Sequence, residues 1–457
     1  MPVDLVIENA EVASIEGVSQ TSFAIDGGVI VAVGDRSAMP SARREIDATG
    51  RVVLPGVIDA HTHFCEDANI LAEPLETGTR AAAAGGVTTV LLMPWDTPPL
   101  DSVDHFDYRR GYAEGRCFVD YGLHGGVTGL TAHTAADTLP ALYERGVTGV
   151  KVLMVSTDPH FPHLNDAQLV DVLTIMKRLN ATLIVHAENQ AILSRNRERL
   201  LAAGRKDPLA HEEYRSKLSE NEAVRRITYL ASRIGTRVVV AHMSTAEGVK
   251  HTRHARDRGA EIYAEVCPRN LWLSTVDLAK RGSWVKTGPP VRDPAEVEAL
   301  WPLLRDGSVS ILSSDHAAWT KEARLQGQDN IWHAYDGIPQ VQEMLPLALD
   351  AVNRGALTLP DVVRLTSYNP SDIFGLRPRK GLLEPGYDAD LVLVDMEREV
   401  ILGPEHVKSY VGYSSFEGRR FVGWPVMTLV RGQVVMEDGQ VPESPCGRFI
   451  PGALARR

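Results

Sequence analysis

Eight short apolar runs separated by helix-length spacers are the feature that most limits how this 457-residue chain can fold. The runs cover residues 56–63, 88–93, 118–123, 149–155, 182–186, 237–242, 261–266 and 308–313. Nearly continuous apolar strands are what a parallel sheet buried on both faces requires. The spacers carry helical patterning: residues 76–84 are rich in alanine, and 166–179 and 220–234 repeat apolar residues at helical spacing. Eight such βα units predict an α/β fold, a (β/α)8 TIM-like barrel. A doubly wound open sheet is the competing topology, but it usually carries a glycine-rich phosphate turn after its first strand. Here the first strand ends His61-Thr62-His63.

The two ends of the chain read differently from the middle. Residues 3–7, 23–25 and 29–33 are short strand candidates, the last two flanking the hairpin signal Asp26-Gly27-Gly28. Residues 391–394, 427–430 and 434–436 look alike, with Arg431-Gly432 between the last two. Two strand-rich ends around an α/β middle predict a composite β-sandwich domain from residues 1–52 plus 378–457, and a catalytic barrel from 53–377. The last dozen residues read as a loose tail.

Barrel enzymes place their chemistry where strands end at the C-terminal face. The first strand ends with His61 and His63, two apart and so on one face of a strand, where two imidazoles can chelate one metal. The runs 182–186 and 237–242 stop at His186 and His242. Either one alone reads best as a satisfied core-edge histidine. Two at matching positions beside an HxH reverse that reading. The run 308–313 leads to Asp315, where a carboxylate can ligate a metal and take a proton from water; a helix N-cap is the alternative. Lys151 lies inside the apolar run 149–155. Burial disfavours its charged form, and a neutral amine can add carbon dioxide to give an anionic, two-oxygen carbamate. The bland alternative is a lysine snorkelling from the strand end. Imidazole and carboxylate ligands suit zinc, with manganese, nickel and iron as alternatives. Two cations about 3.5–4 Å apart can activate a water and polarise a carbonyl. His316 falls on the opposite face from Asp315, His124 is ambiguous, and His160, His163, His251 and His254 read as solvated.

Composition removes several classes of function. A net charge of -11 argues against duplex DNA and against an anionic membrane surface. The four cysteines form no CxxC, so neither a disulfide framework nor a thiolate zinc site is expected. No apolar run of about 18 residues suggests a membrane span. The N-terminus lacks a signal-peptide pattern, and a reducing cytoplasm fits.

The ordered motifs resemble the cyclic amidases of the amidohydrolase superfamily: hydantoinases, dihydropyrimidinases, allantoinases and dihydroorotases. They are Pro55-Gly56-Val57-Ile58-Asp59-Ala60-His61-Thr62-His63, Gly149-Val150-Lys151, Val185-His186-Ala187-Glu188-Asn189, Ala241-His242-Met243-Ser244, Gly288-Pro289-Pro290-Val291-Arg292 and Ser314-Asp315-His316. Asn369-Pro370, Lys380-Gly381 and residues 385–391 continue the likeness, which runs from about residue 3 to about 450.

The resemblance implies hydrolysis of a small cyclic amide or imide by a metal-bridging hydroxide, in a dimer or homotetramer. It implies one divalent ion on His61, His63 and Asp315, a second on His186 and His242, and a carbamate on Lys151 bridging them. Asp315 would be general base and then acid. Dihydroorotases carry an arginine where this chain has Cys65, which disfavours that activity. Dihydropyrimidinases and D-hydantoinases carry an oxyanion-binding tyrosine where this chain has Ser156. Backbone groups at Gly288 and Asp336 would hold the amide edge of the substrate. Residues 76–83 look allantoinase-like, residues 415–419 hydantoinase-like, and Arg269 replaces a histidine common in allantoinases. A hydantoinase or dihydropyrimidinase reaction is the expectation, with allantoinase as the alternative. A non-catalytic dihydropyrimidinase-like scaffold would show gaps in the ligand set, and this sequence has none.

Overall fold

The computed structural model describes residues 1–65, 70–95, 98–156 and 159–456. Its middle holds eight strands: Val57–Thr62, Val87–Leu92, Asp120–Leu123, Val150–Leu153, Thr182–His186, Arg237–Val240, Ile262–Val266 and Val309–Leu312. Neighbours pair in parallel and in sequence order. Gly125–Gly126 continues the third strand past His124 and pairs with Val150 and Lys151. A parallel bridge between Thr62 and His316 links the first strand to the segment after the last. This is the expected (β/α)8 arrangement, and every strand falls within its expected run or within one residue of it. Apolar side chains from five strands, Ile58, Leu91, Ile184, Val239 and Ile311, pack into one cluster with Ile373, Phe374 and Ile450.

The spacer helices end where local chemistry ends them. Asp166–Leu179 starts at a reciprocal capping box between Asn165 and Gln168 and stops at Asn180, which adopts a left-handed conformation with φ 52°. Lys217–Ile234 is capped by the Ser216 side chain and terminated by Gly235 at φ 82°. Among the described residues, no helix is long and apolar enough to cross a membrane.

Strands from both chain ends form one eight-stranded sheet. Val52–Pro55 lies in its middle, pairing with Val3–Ala13 on one side and Leu391–Ile401 on the other. The sheet has its own apolar cluster, including Leu5, Ile7, Phe23, Ile25, Leu391 and Leu429. Its strands are longer than the sequence pattern shows. Val3–Ala13 runs on through an irregularity between Ile7 and Ala10, where Asn9 takes φ 57° and breaks the alternation.

Near the start of the third barrel strand, Lys380 is buried against Asp120 (2.6 Å), Asp390 (2.5 Å) and Asp388 (3.1 Å). Arg431 from the terminal sheet also pairs with Asp120. The expected loose tail is instead docked: Tyr121 N donates to Arg448 O and Ile450 N to Tyr121 O, with Ile450 buried. An exposed edge beside Asp120–Leu123 gives those backbone groups partners that sequence reading cannot foresee.

Candidate metal centre

Four histidine rings form a continuous chain at the C-terminal ends of the strands. Ring centroids lie 5.2 Å apart for His63 and His61, 5.3 Å for His61 and His242, and 4.6 Å for His242 and His186. His61 and His186 are inside their strands, whereas His63, His242 and Asp315 follow strand ends. His242 and Asp315 take φ values of 39° and 47°. Left-handed backbone at non-glycine residues is costly and concentrates at functional sites.

Acceptors behind the rings fix how they face. His61 Nδ1 donates to Glu265 Oε1 at 2.7 Å, which leaves Nε2 as the free lone pair. That Nε2 lies 3.2 Å from Asp315 Oδ1, and His63 Nε2 lies 3.1 Å from the same oxygen. Ligand atoms of His61, His63 and Asp315 fall within 4.8 Å of one another. Glu265 Oε1 also accepts from the backbone N of His242 at 2.9 Å. His186 Nε2 donates to Glu188 Oε2 at 2.6 Å, leaving Nδ1 as its free atom. Asp59 accepts from the backbone N of Ser314 at 2.9 Å, tying the first strand to the loop that bears Asp315; burial raises its carboxyl to about 7.

The electrostatics fit a cation. Burial lowers the affinity of His61, His186 and His242 for a proton, so all three are neutral imidazoles, the form that binds metal. Burial alone would raise Asp315; the Arg269 guanidinium and the hydrogen bond from His63 oppose it and hold the carboxylate ionised. Among the described residues, His61 Nε2 and His242 Nδ1 are buried without a hydrogen bond. Lys151 is buried, and its ammonium makes no hydrogen bond or ion pair among the described residues. Burial brings it down to about 8, with Glu265 and Asp315 opposing. Neutral imidazoles, an ionised carboxylate and an amine that readily loses its proton are the donor set a divalent cation needs.

The site opens into a cavity of about 950 Å³, lined in part by Ser156, Gly288 and Asp336 together with all six expected ligands, His61, His63, Lys151, His186, His242 and Asp315. Asp336 is held by Arg215 at 3.0 Å and Lys286 at 3.1 Å, and these cations outweigh burial and keep it ionised. Arg215 also pairs with Glu188, so a chain of contacts runs from His186 through Glu188 and Arg215 to Asp336. A Cβ at Gly288 would come within 2.8 Å of the Arg215 guanidinium, which explains the glycine there. The Ser156 hydroxyl is 2.7 Å from His163 Nδ1 and so is engaged on the cavity rim. Aromatic pairs form the walls: Trp95 stacks on Phe161 at 5.1 Å, and Trp319 on Tyr335 at 4.3 Å.

The remaining histidines divide. His124 is a core residue bonded to Ala60 O and Thr148, and burial takes it to about 3. His316 is buried, its Nδ1 accepting from the backbone N–H groups of Gln340 and Val341. His160 is exposed, as expected of a solvated loop, and it also lines the mouth of the cavity. Sequence reading missed Glu265, Arg215 and His211. Glu265 had a usable signal, since it is a charge inside an apolar strand, as Lys151 is. Arg215 and His211 lie on or beside a short helix, Leu209–Tyr214, and only tertiary structure brings them to the cavity.

Residues 52–435 match the Amidohydrolase family, and the chain belongs to it. Within that family it groups with the cyclic amidases. It is 32% identical to the L-hydantoinase of Paenarthrobacter aurescens, over 98% of both chains. It is 35% identical to the allantoinase of Rubrobacter xylanophilus, over 98% of this chain and 97% of that one. The solved L-hydantoinase from Arthrobacter aurescens superposes with a TM-score of 0.95 at 31% identity, covering 98% of this chain and 100% of the other.

Proposed function

We propose that this hydrolase of cyclic amides opens a hydantoin-type ring at two divalent metal ions, zinc being the best match to the donors. The observation that carries this reading is Lys151: a buried amine with no counter-ion contact among the described residues, beside three buried neutral histidines and one ionised aspartate. His61, His63 and Asp315 would hold one ion, His186 and His242 the other, and a carbamate on Lys151 both. The ions would supply a water of lowered pKa and polarisation of the scissile carbonyl.

The chain's own groups do the rest. Glu265 and Glu188 hold the His61 and His186 rings in one orientation. Asp315 takes the proton of the attacking water and returns it to the leaving nitrogen. Backbone groups at Gly288 and Asp336 hold the amide edge of the ring, with Arg215 and Lys286 fixing the Asp336 loop. Ser156, bonded to His163 on the cavity rim, is a candidate substrate contact at the position where the resemblance implies an oxyanion tyrosine. In this reading residues 53–377 carry the chemistry, residues 1–52 plus 378–457 brace the barrel, and the enzyme works as a dimer or tetramer in the cytoplasm.

Allantoin is the second reading, favoured by the 35% identical allantoinase. Assays of 5-substituted hydantoins, dihydrouracil and allantoin under one condition decide between them. Turnover highest on hydantoins supports the proposal. Turnover of allantoin alone replaces it with the second reading.

A further inference from the structure

Arg269 opens a short helix, Arg269–Trp272, just after the seventh barrel strand. Its side chain is fully buried. Nη2 donates to Asp315 Oδ2 at 2.7 Å, while Nε and Nη1 find no acceptor among the described residues. Burying a guanidinium with one acceptor is costly, and an apolar side chain of similar volume usually does better for stability. The placement therefore calls for an explanation other than stability. The two oxygens of Asp315 are divided: Oδ2 is held by Arg269, and Oδ1 faces His61 and His63 at 3.2 and 3.1 Å. The backbone is braced as well. Arg269 N donates to Gln340 Oε1 at 3.0 Å, and Gln340 Nε2 donates to Ser314 O at 2.6 Å. Arg269 and the peptide before Asp315 are thus joined through a single glutamine.

We infer that Arg269 is a positioning residue for Asp315: by occupying one carboxylate oxygen it turns the other toward His61 and His63. This rests on the metal-site reading above. A carboxylate free to rotate would spend part of its time facing away from the histidines, so loss of the tie weakens both cation binding and proton transfer.

The test is zinc competition against a chromogenic chelator, without substrate, on the full-length protein and its Arg269→Gln and Arg269→Lys variants, followed by kinetics. For Arg269→Gln the expected result is weakening of one of the two zinc ions by about ten-fold or more, the scale for loss of an outer partner of a ligand. kcat should fall by more than KM changes, and Arg269→Lys, which keeps a charge and a donor, should recover most of both. A merely structural role would lower the melting temperature without moving zinc affinity or dividing kcat from KM. If Arg269→Gln does not fold, Arg269→Met, which removes the buried charge, carries the same comparison. A folded Gln or Met variant with zinc affinity and kcat within about two-fold of wild type overturns the inference. Wild-type protein that takes up no zinc overturns the metal reading and this inference together, so the two failures are distinguishable.

Discussion

Lys151 and Lys380 are both 1% exposed, and the protein treats their amines in opposite ways. Lys380 is surrounded by Asp120, Asp388 and Asp390, and these outweigh burial and hold it charged well beyond the usual lysine range. Lys151 has neutral rings beside it and no ion pair among the described residues, and burial brings it down to about 8. Asp120 opens its strand, away from the mouth, whereas Lys151 is set among histidines at the strand ends. The difference separates a cation used as a structural tie from an amine kept available for chemistry. The bottom of a barrel reads as stability and its top as function, and these two lysines show that division within one residue type.

Removing each amine should break different properties. Lys151→Ala should cost activity on the order of 10³-fold or more, the scale seen when one member of a concerted catalytic set is lost, with the melting temperature nearly unchanged. Initial rates and a thermal melt check this together. Lys380→Ala should do the reverse. It leaves the buried carboxylates of Asp120 and Asp390 short of a partner and should cost about 3–5 kcal/mol in denaturant unfolding, while the folded fraction keeps its kcat.

The pH dependence of stability sharpens the contrast, because the signs are opposite. Lys151 is lowered to about 8 from 10.5, so between those values the unfolded chain binds a proton that the folded one does not. Stability of metal-free, bicarbonate-free protein should therefore rise with pH across that window, by on the order of 3 kcal/mol at most. Lys380 is raised, so its contribution is complete below the ordinary lysine value and is lost only as pH climbs beyond it. Urea unfolding of wild type and Lys151→Met across the window checks this, with the rise missing in the variant. The smallest effect is expected at Asp336→Asn. That change uncouples the Asp336 loop from Arg215 and Lys286 and should raise KM about three- to ten-fold, on the order of 1 kcal/mol, with kcat little altered.

What could be read from the sequence follows the same division. His61, His186, His242 and Asp315 were legible because an apolar run ending in a ligand-capable residue marks a strand end at a barrel mouth. Lys151 was legible only in combination: a charge inside such a run is expensive, and the four histidines and the family likeness made it a ligand instead of a snorkelling lysine. Glu265 and Arg269 carry equally costly burials, but their partners come from other strands, and nothing local pairs Arg269 with Asp315. The docked chain end was illegible for a related reason: the sequence of residues 446–452 is ordinary loop, and its order comes from the edge strand it meets. Strands of the terminal sheet were read short wherever a bulge interrupted their alternation, as at Asn9.

The most direct test of the account is metal content. Full-length protein and its Lys151→Ala variant are reconstituted with zinc and bicarbonate, dialysed, and subjected to elemental analysis. The account predicts about two zinc ions per wild-type chain and a marked loss in the variant. A fully folded wild type that retains no zinc, or a variant that retains as much as wild type, would contradict it.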